Sequence, residues 1–194
     1  MPYAKGARYD PDKGCLPGTR EKILREIVQW VNSPNEGTAT RLFFSSAMAG
    51  YGKSAVAHEV ARQFDELGRL GSSYCFNHAD QANRHPGNLL STIASDISDL
   101  NLHWKKSICD VVMGNRSIRT TRSPTEQFVN FIFEPAKALT TIGPIVIIID
   151  AFDESGESSL RKPLLEVLVR GCQSILRTGR SHVCNLVGPT SAPT

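Results

Sequence analysis

The chain has 194 residues, 40% of them hydrophobic and 21% charged, a globular composition long enough for one domain to bury a core without disulfides or metals. Its 22 Lys and Arg against 19 Asp and Glu leave a net charge of +3, too small an excess to mark a nucleic-acid or membrane surface. No apolar run approaches the roughly 20 residues of a membrane span, and the first ten residues hold no signal-peptide core. The five cysteines form no CxxC pair, so a reducing compartment, the cytoplasm, is expected rather than a disulfide or zinc scaffold.

Residues 1–18 are rich in Gly, Pro and charge and read as a leader or loop. Thr19 is placed to cap a helix over REKILREIVQWVN, where Ile23, Leu24, Ile27, Val28 and Val31 share one face. Thr40 to Ala47 reads as a short strand covered on both faces. After a glycine turn, SAVAHEVARQFDEL forms a second helix with a stripe of Val56, Val60, Phe64 and Leu67. Ser72 to Asn77 reads as a second strand. A polar loop and a third helix follow, with Leu89, Ile93, Ile97 and Leu100 on its buried stripe. A short helix and the basic linker GNRSIRTTRS lead to TEQFVNFIFEPAKAL, whose interior Pro135 should kink or break the helix. Ile145 to Ile149, five consecutive β-branched residues, give the strongest strand signal, of the kind a central parallel strand carries. A helix over RKPLLEVLVRGCQSIL and a weak strand, His182 to Val187, complete an alternating α/β pattern.

The sharpest motif is Ala49-Gly50-Tyr51-Gly52-Lys53-Ser54, between the first strand and the second helix. Glycines let successive N–H groups turn inward as an anion nest, and the following helix aims its positive end at phosphates. Lys53 would reach the β and γ phosphates, and Ser54 would put its hydroxyl on Mg2+. The strict GxxxxGK[ST] pattern fails at Ala47, where glycine is expected. A second motif is Asp150, fed directly by Ile145–Ile149 and followed by Asp153 and Glu154. A carboxylate at the tip of a buried parallel strand lies where open α/β sheets bind ligands. Asp150 is the candidate Mg2+ ligand, and Glu154, with Asp153 in support, the candidate that polarises an attacking water.

Together with CLPGTR at 15–20, LGSSYCFNHAD at 70–80, LLSTIASDIS, EQFVNFIFEPAKAL and PIVIIIDAFDES, these motifs resemble the NACHT-type nucleoside-triphosphatase domains of fungal NOD-like receptor (STAND) proteins, with their nephrocystin-3-like N-terminal domains. The resemblance spans roughly residues 8–178. It implies a three-layer P-loop NTPase sandwich around a mostly parallel sheet, with Lys53 and Ser54 as Walker A and Asp150, Asp153 and Glu154 as an extended Walker B. It also implies Thr19 and Arg20 as nucleotide-facing residues. The family's usual Thr-Ser-Arg-Pro-like sensor is not found in SILRTGRSHVCNLVGPTSAPT. The strand that carries it lies between the Walker A and Walker B strands in related folds. The expected organisation is therefore a leader, 1–18, a partial nucleotide-binding domain, 19–178, incomplete at its C-terminal side, and a divergent, disordered tail, 179–194. His182–Val187 is the segment available to fill the gap.

Two functional readings follow. One is an ATP- or GTP-binding signalling switch using Mg2+, with slow or absent hydrolysis, partnered by copies of itself or by NOD-like-receptor-type proteins, and with neither nucleic acid nor membrane as a partner. The other is a non-enzymatic interaction fragment or pseudo-NTPase from a truncated gene product. A small-molecule kinase would share both motifs, and Arg116, Arg119 and Arg122 form the one cluster suited to its acceptor site or lid.

Overall fold

In a computed structural model the chain is described at residues 1–33, 42–45, 50–139, 143–156, 158–177 and 183–187, with the backbone alone at 172–177 and 183–187. It is a mixed α/β structure. In chain order the elements are α1 (Glu21–Asn32), β1 (Leu42–Phe44), α2 (Lys53–Glu66), β2 (Leu70–Cys75), α3 (Leu89–Leu100) and α4 (Leu102–Gly114). These are followed by α5 (Pro124–Gln127), a π turn (Phe128–Phe133), α6 (Glu134–Ala136), β3 (Ile145–Asp150), α7 (Ser158–Arg177) and β4 (Val183–Val187). Thr40, Arg41, Ser46 and Ala47, expected in the first strand, and His182, expected in the last, lie outside the described residues.

The strands form one four-stranded sheet in the order β1-β4-β3-β2, with every neighbouring pair parallel. The 179–194 segment, expected as a disordered tail, thus supplies β4. It fills the position between β1 and β3 where a gap was anticipated. Ile145↔Val183 through Ile149↔Val187 and Leu42↔Asn185 through Phe44↔Val187 give β4 a partner on each side. That pairing satisfies backbone groups that two facing strand edges would otherwise leave open. A segment of poor strand composition can serve here because ladder hydrogen bonds do not depend on side-chain identity.

β3 is buried along its whole length, and its alternation divides the interior in two. Val146 and Ile148 pack with Ile27 and Val31 of α1 and Val60, Ala61 and Phe64 of α2. Ile145, Ile147 and Ile149 pack with Leu89, Ile93 and Ile97 of α3, Trp104 of α4 and Phe131 of the π turn. Each fully buried aliphatic of this kind contributes about 1.5–3 kcal/mol. The helical stripes end one residue sooner than their spacing suggested. Leu67 is 64% exposed as the residue closing α2, and Leu100, the last residue of α3, is 47% exposed.

Three local expectations are corrected. Thr19 does not cap α1: the capping position is Arg20, in the left-handed region at φ 60°, and it makes no side-chain capping bond. Pro135 does not break its helix. The preceding turn widens into the π turn, which accommodates a residue that lacks an N–H and crowds the carbonyl four residues back. The leader is not a free loop. It runs beside β2, where the Cys75 N–H donates to the Ala7 carbonyl (2.7 Å) and the Tyr9 N–H to Ser73 Oγ (2.9 Å). Ala4 and Ala7 are buried, so the leader covers the outer strand of the sheet.

Candidate functional site

The four strands are parallel, so the segments leaving β1, β2 and β3 emerge along one edge of the sheet. That edge gathers the sequence-selected residues. Gly50 and Gly52 both have positive φ, 82° and 72°, a conformation costing an L-residue with a side chain roughly 1–2 kcal/mol. Gly52 is the capping residue of α2 and offers the helix no side-chain acceptor, so the positive end of α2 opens at this edge without a side-chain cap. Lys53 opens α2 half-buried, and Ser54 follows it exposed. Ala47 and Ala49 lie outside the described residues.

Arg20 belongs to this turn. Its Nη2 donates to the Tyr51 carbonyl (2.7 Å), bridging the start of α1 to the glycine turn. Thr19 stands beside it, exposed, with its hydroxyl donating to the Leu16 carbonyl (2.6 Å). Arg20 is thus joined to the loop, whereas Thr19 is committed to its own turn.

Asp150 terminates β3 and is 3% exposed. Its Oδ1 is buried without a hydrogen-bond partner. A buried carboxylate oxygen with nothing to accept from is costly. It is the kind of acceptor a hard cation or an ordered water satisfies. The chain then turns sharply, with Ala151 in the left-handed region at φ 52°. This puts Asp153 and Glu154 in the single turn Phe152–Glu154, anchored by Phe152 edge-on against Phe76. Glu154 is exposed, and its Oε2 accepts the His78 N–H (3.0 Å), tying the acidic loop to the segment after β2. Asp153 is half-buried, and its carbonyl accepts from Arg161 Nη1 (2.8 Å), tying the same loop to α7.

Two neighbours of Asp150 escaped the sequence reading. His58, from the second turn of α2, and Cys75, the register partner of Asp150 on β2, bring ligand-capable atoms within 4.8 Å of one another and of the carboxylate. The His58 contact sets Asp150 beside α2, one turn past Lys53 and Ser54. All three residues are buried. The signals for them were present: a polar residue inside a buried helical stripe, and a cysteine at the tip of a neighbouring strand.

The trio does not make a soft-metal centre. His58 Nδ1 accepts the Asp10 N–H (2.9 Å), which puts the ring proton on Nε2 and leaves no free lone pair. Burial pushes His58 below the usual histidine range, and the charge of Asp150 only partly opposes it. Burial, reinforced by Asp150, pushes the Cys75 thiol up to about 12, far from the thiolate a soft metal needs. Hard-cation coordination through Asp150 Oδ1 is what these residues fit. His58 also links the leader, through Asp10, to α2.

The site is therefore a glycine turn feeding a helix beside a buried carboxylate at a parallel-strand tip, on the edge where open α/β sheets in general place their ligands. The chain belongs to the nephrocystin 3 N-terminal family, whose profile matches residues 18–186. No match was found among curated proteins or among solved structures. Among the described residues no helix is long and apolar enough to cross a membrane.

Proposed function

We propose that this chain is a nucleoside-triphosphate-binding switch module of the NACHT type, built on a P-loop NTPase sandwich. Its nucleotide state would alter packing against copies of itself or against NOD-like-receptor-type partners. The observation that carries the reading is the pairing of two features on one edge: the start of α2 behind Gly50 and Gly52, which Gly52 caps with no side chain, and the orphaned Asp150 Oδ1. The first calls for an anion and the second for a cation. A magnesium-bound triphosphate supplies both.

Lys53 would neutralise the β and γ phosphates, while Ser54 and Asp150 would hold Mg2+, which supplies charge neutralisation between the phosphates and the carboxylate. Arg20, fastened to Tyr51, would hold the loop in shape and add positive charge beside it. Glu154 would orient a water, with Asp153 in support. Its bond to the His78 N–H engages one of its oxygens in holding the loop, which favours slow turnover. No arginine finger is assigned, and such a group is worth about 10³–10⁵ in rate.

The test is equilibrium binding of fluorescent ATP and GTP analogues to the full chain with Mg2+, beside Lys53→Ala, with a circular-dichroism melt of each. Saturable binding lost in the Lys53 variant is expected. A folded protein that binds neither analogue would overturn the reading and leave the non-enzymatic interaction fragment in its place.

A further inference from the structure

Arg116, Arg119 and Arg122 have no role at the edge just described. Arg116 and Arg119 lie three residues apart in a 3-10 turn, Arg116–Thr120, where such positions eclipse. Among the described residues none of the three is in an ion pair. Arg119 donates through Nε and Nη2 to the Val112 carbonyl (3.3 and 3.2 Å), which fixes its direction. Arg122 is exposed, and among the described residues no ion pair holds it.

Arg119 and Arg122 line a cavity of about 610 Å³, the size of a small-molecule site. Its lining also includes the His85–Asn88 turn and Leu160 and Leu164 of α7, and among the described residues no carboxylate contributes to it. The Gly87 N–H donates to His85 Nδ1 (3.0 Å), so Nε2 carries the ring proton and is a further donor. The cavity thus combines two arginines and a histidine with an apolar wall.

Both walls connect to the acidic loop. α7 is joined to it by Arg161, the neighbour of Leu160, through the Asp153 carbonyl. The segment that follows β2 is joined to it by the His78 N–H through Glu154.

We infer that this cavity is a second ligand site, for a small phosphomonoester or similar dianion carried on an apolar group, and that its occupant reports to the acidic loop through α7 and the segment after β2. Two guanidiniums match a dianion by charge-assisted hydrogen bonds, and the leucines of α7 receive the apolar carrier.

The probe is 1-naphthyl phosphate, titrated into the full chain by calorimetry, with uncharged 1-naphthol as the comparison. One-to-one binding is expected, weakened about tenfold or more in Arg122→Ala, as for loss of one charge-assisted bond. It should be partly restored in Arg122→Lys and much weaker for 1-naphthol. Arg122 is exposed, so its substitution leaves the fold intact, which a thermal melt checks. Leu160→Trp, from a partly exposed position on the wall, should also obstruct the site. The titration is repeated in Lys53→Ala, where the phosphate loop is disabled. Binding retained there, and lost in the Arg122 variant, supports the second site whether or not nucleotides bind. Absent binding, indifference to Arg122→Ala, or loss in Lys53→Ala would overturn it.

Discussion

At the scale of single residues, the acidic loop separates two jobs that one carboxylate could perform. Glu154 accepts the His78 N–H with one oxygen, and glutamine can keep that bond while losing the charge. Glu154→Gln should therefore leave nucleotide affinity unchanged and lower Mg2+-dependent turnover by about 10²–10⁴-fold, the usual worth of a positioned acid–base group. Unchanged turnover would remove Glu154 from the chemistry. Asp96 offers a separate test, remote from the nucleotide. It accepts from Tyr3 Oη (2.9 Å) and Ser72 Oγ (2.5 Å), so one carboxylate links the leader, α3 and β2. Burial lifts it above the usual carboxylate range, against the pull of those hydrogen bonds and of Arg8. The folded state then holds the Asp96 proton more tightly than the unfolded chain does. This contribution to stability grows as pH falls through the folded value and is complete below the unfolded value near 3.9. Relative to Asp96→Asn, the wild-type melting temperature should rise as pH is lowered from 7 toward 4. A difference independent of pH would show that Asp96 is not held this way.

At the scale of elements, long apolar signals were the ones the sequence made legible. Ile145–Asp150 and Leu89–Leu100 fall where their patterns put them, because five β-branched residues in a row and a four-residue stripe each favour one kind of element. What periodicity cannot express was misread. The Phe128–Phe133 stretch widens one turn before the helix ends at Ala136, one residue past Pro135, and no count of apolar spacing reports that widening. The contact between that stretch and α7 was equally invisible. A Cβ built at Gly171 would collide with the Phe128 ring, so α7 approaches the π turn more closely than any larger residue permits. Phe128 is 5% exposed and has little room to yield. Gly171→Ala should destabilise the protein by about 1–3 kcal/mol despite its better helix propensity, seen as a melting temperature lower by several degrees. A neutral or stabilising effect would mean that α7 and the π turn are packed more loosely.

At the scale of the whole molecule, the order of strands places Val183–Val187 between β1 and β3. The turn at Gly50–Gly52 and the strand tip at Asp150 were readable because positive φ favours glycine and a β-branched run favours a strand. The grouping of His58 and Cys75 around Asp150 was not, because it arises from α2 crossing the sheet and from the β2–β3 register. The same register logic governs β4. With β4 in place, β3 has strands on both sides, and β1, a three-residue strand, pairs with the sheet through β4 alone among the described strands. Ending the chain after Arg177 removes β4 and leaves the facing edges of β1 and β3 unpaired. The glycine turn then loses its connection, through β1 and β4, to the strand that carries Asp150. The α3–α4 side of the core should persist, since Ile145, Ile147 and Ile149 still meet α3 there. The shortened chain is expected to keep much of its helical circular dichroism, lose a cooperative thermal transition, and fail to bind the nucleotide analogues even with Lys53 intact. If residues 1–177 melt cooperatively and bind like the full chain, β1 is anchored by α1 and α2 instead, and β4 is dispensable to the site.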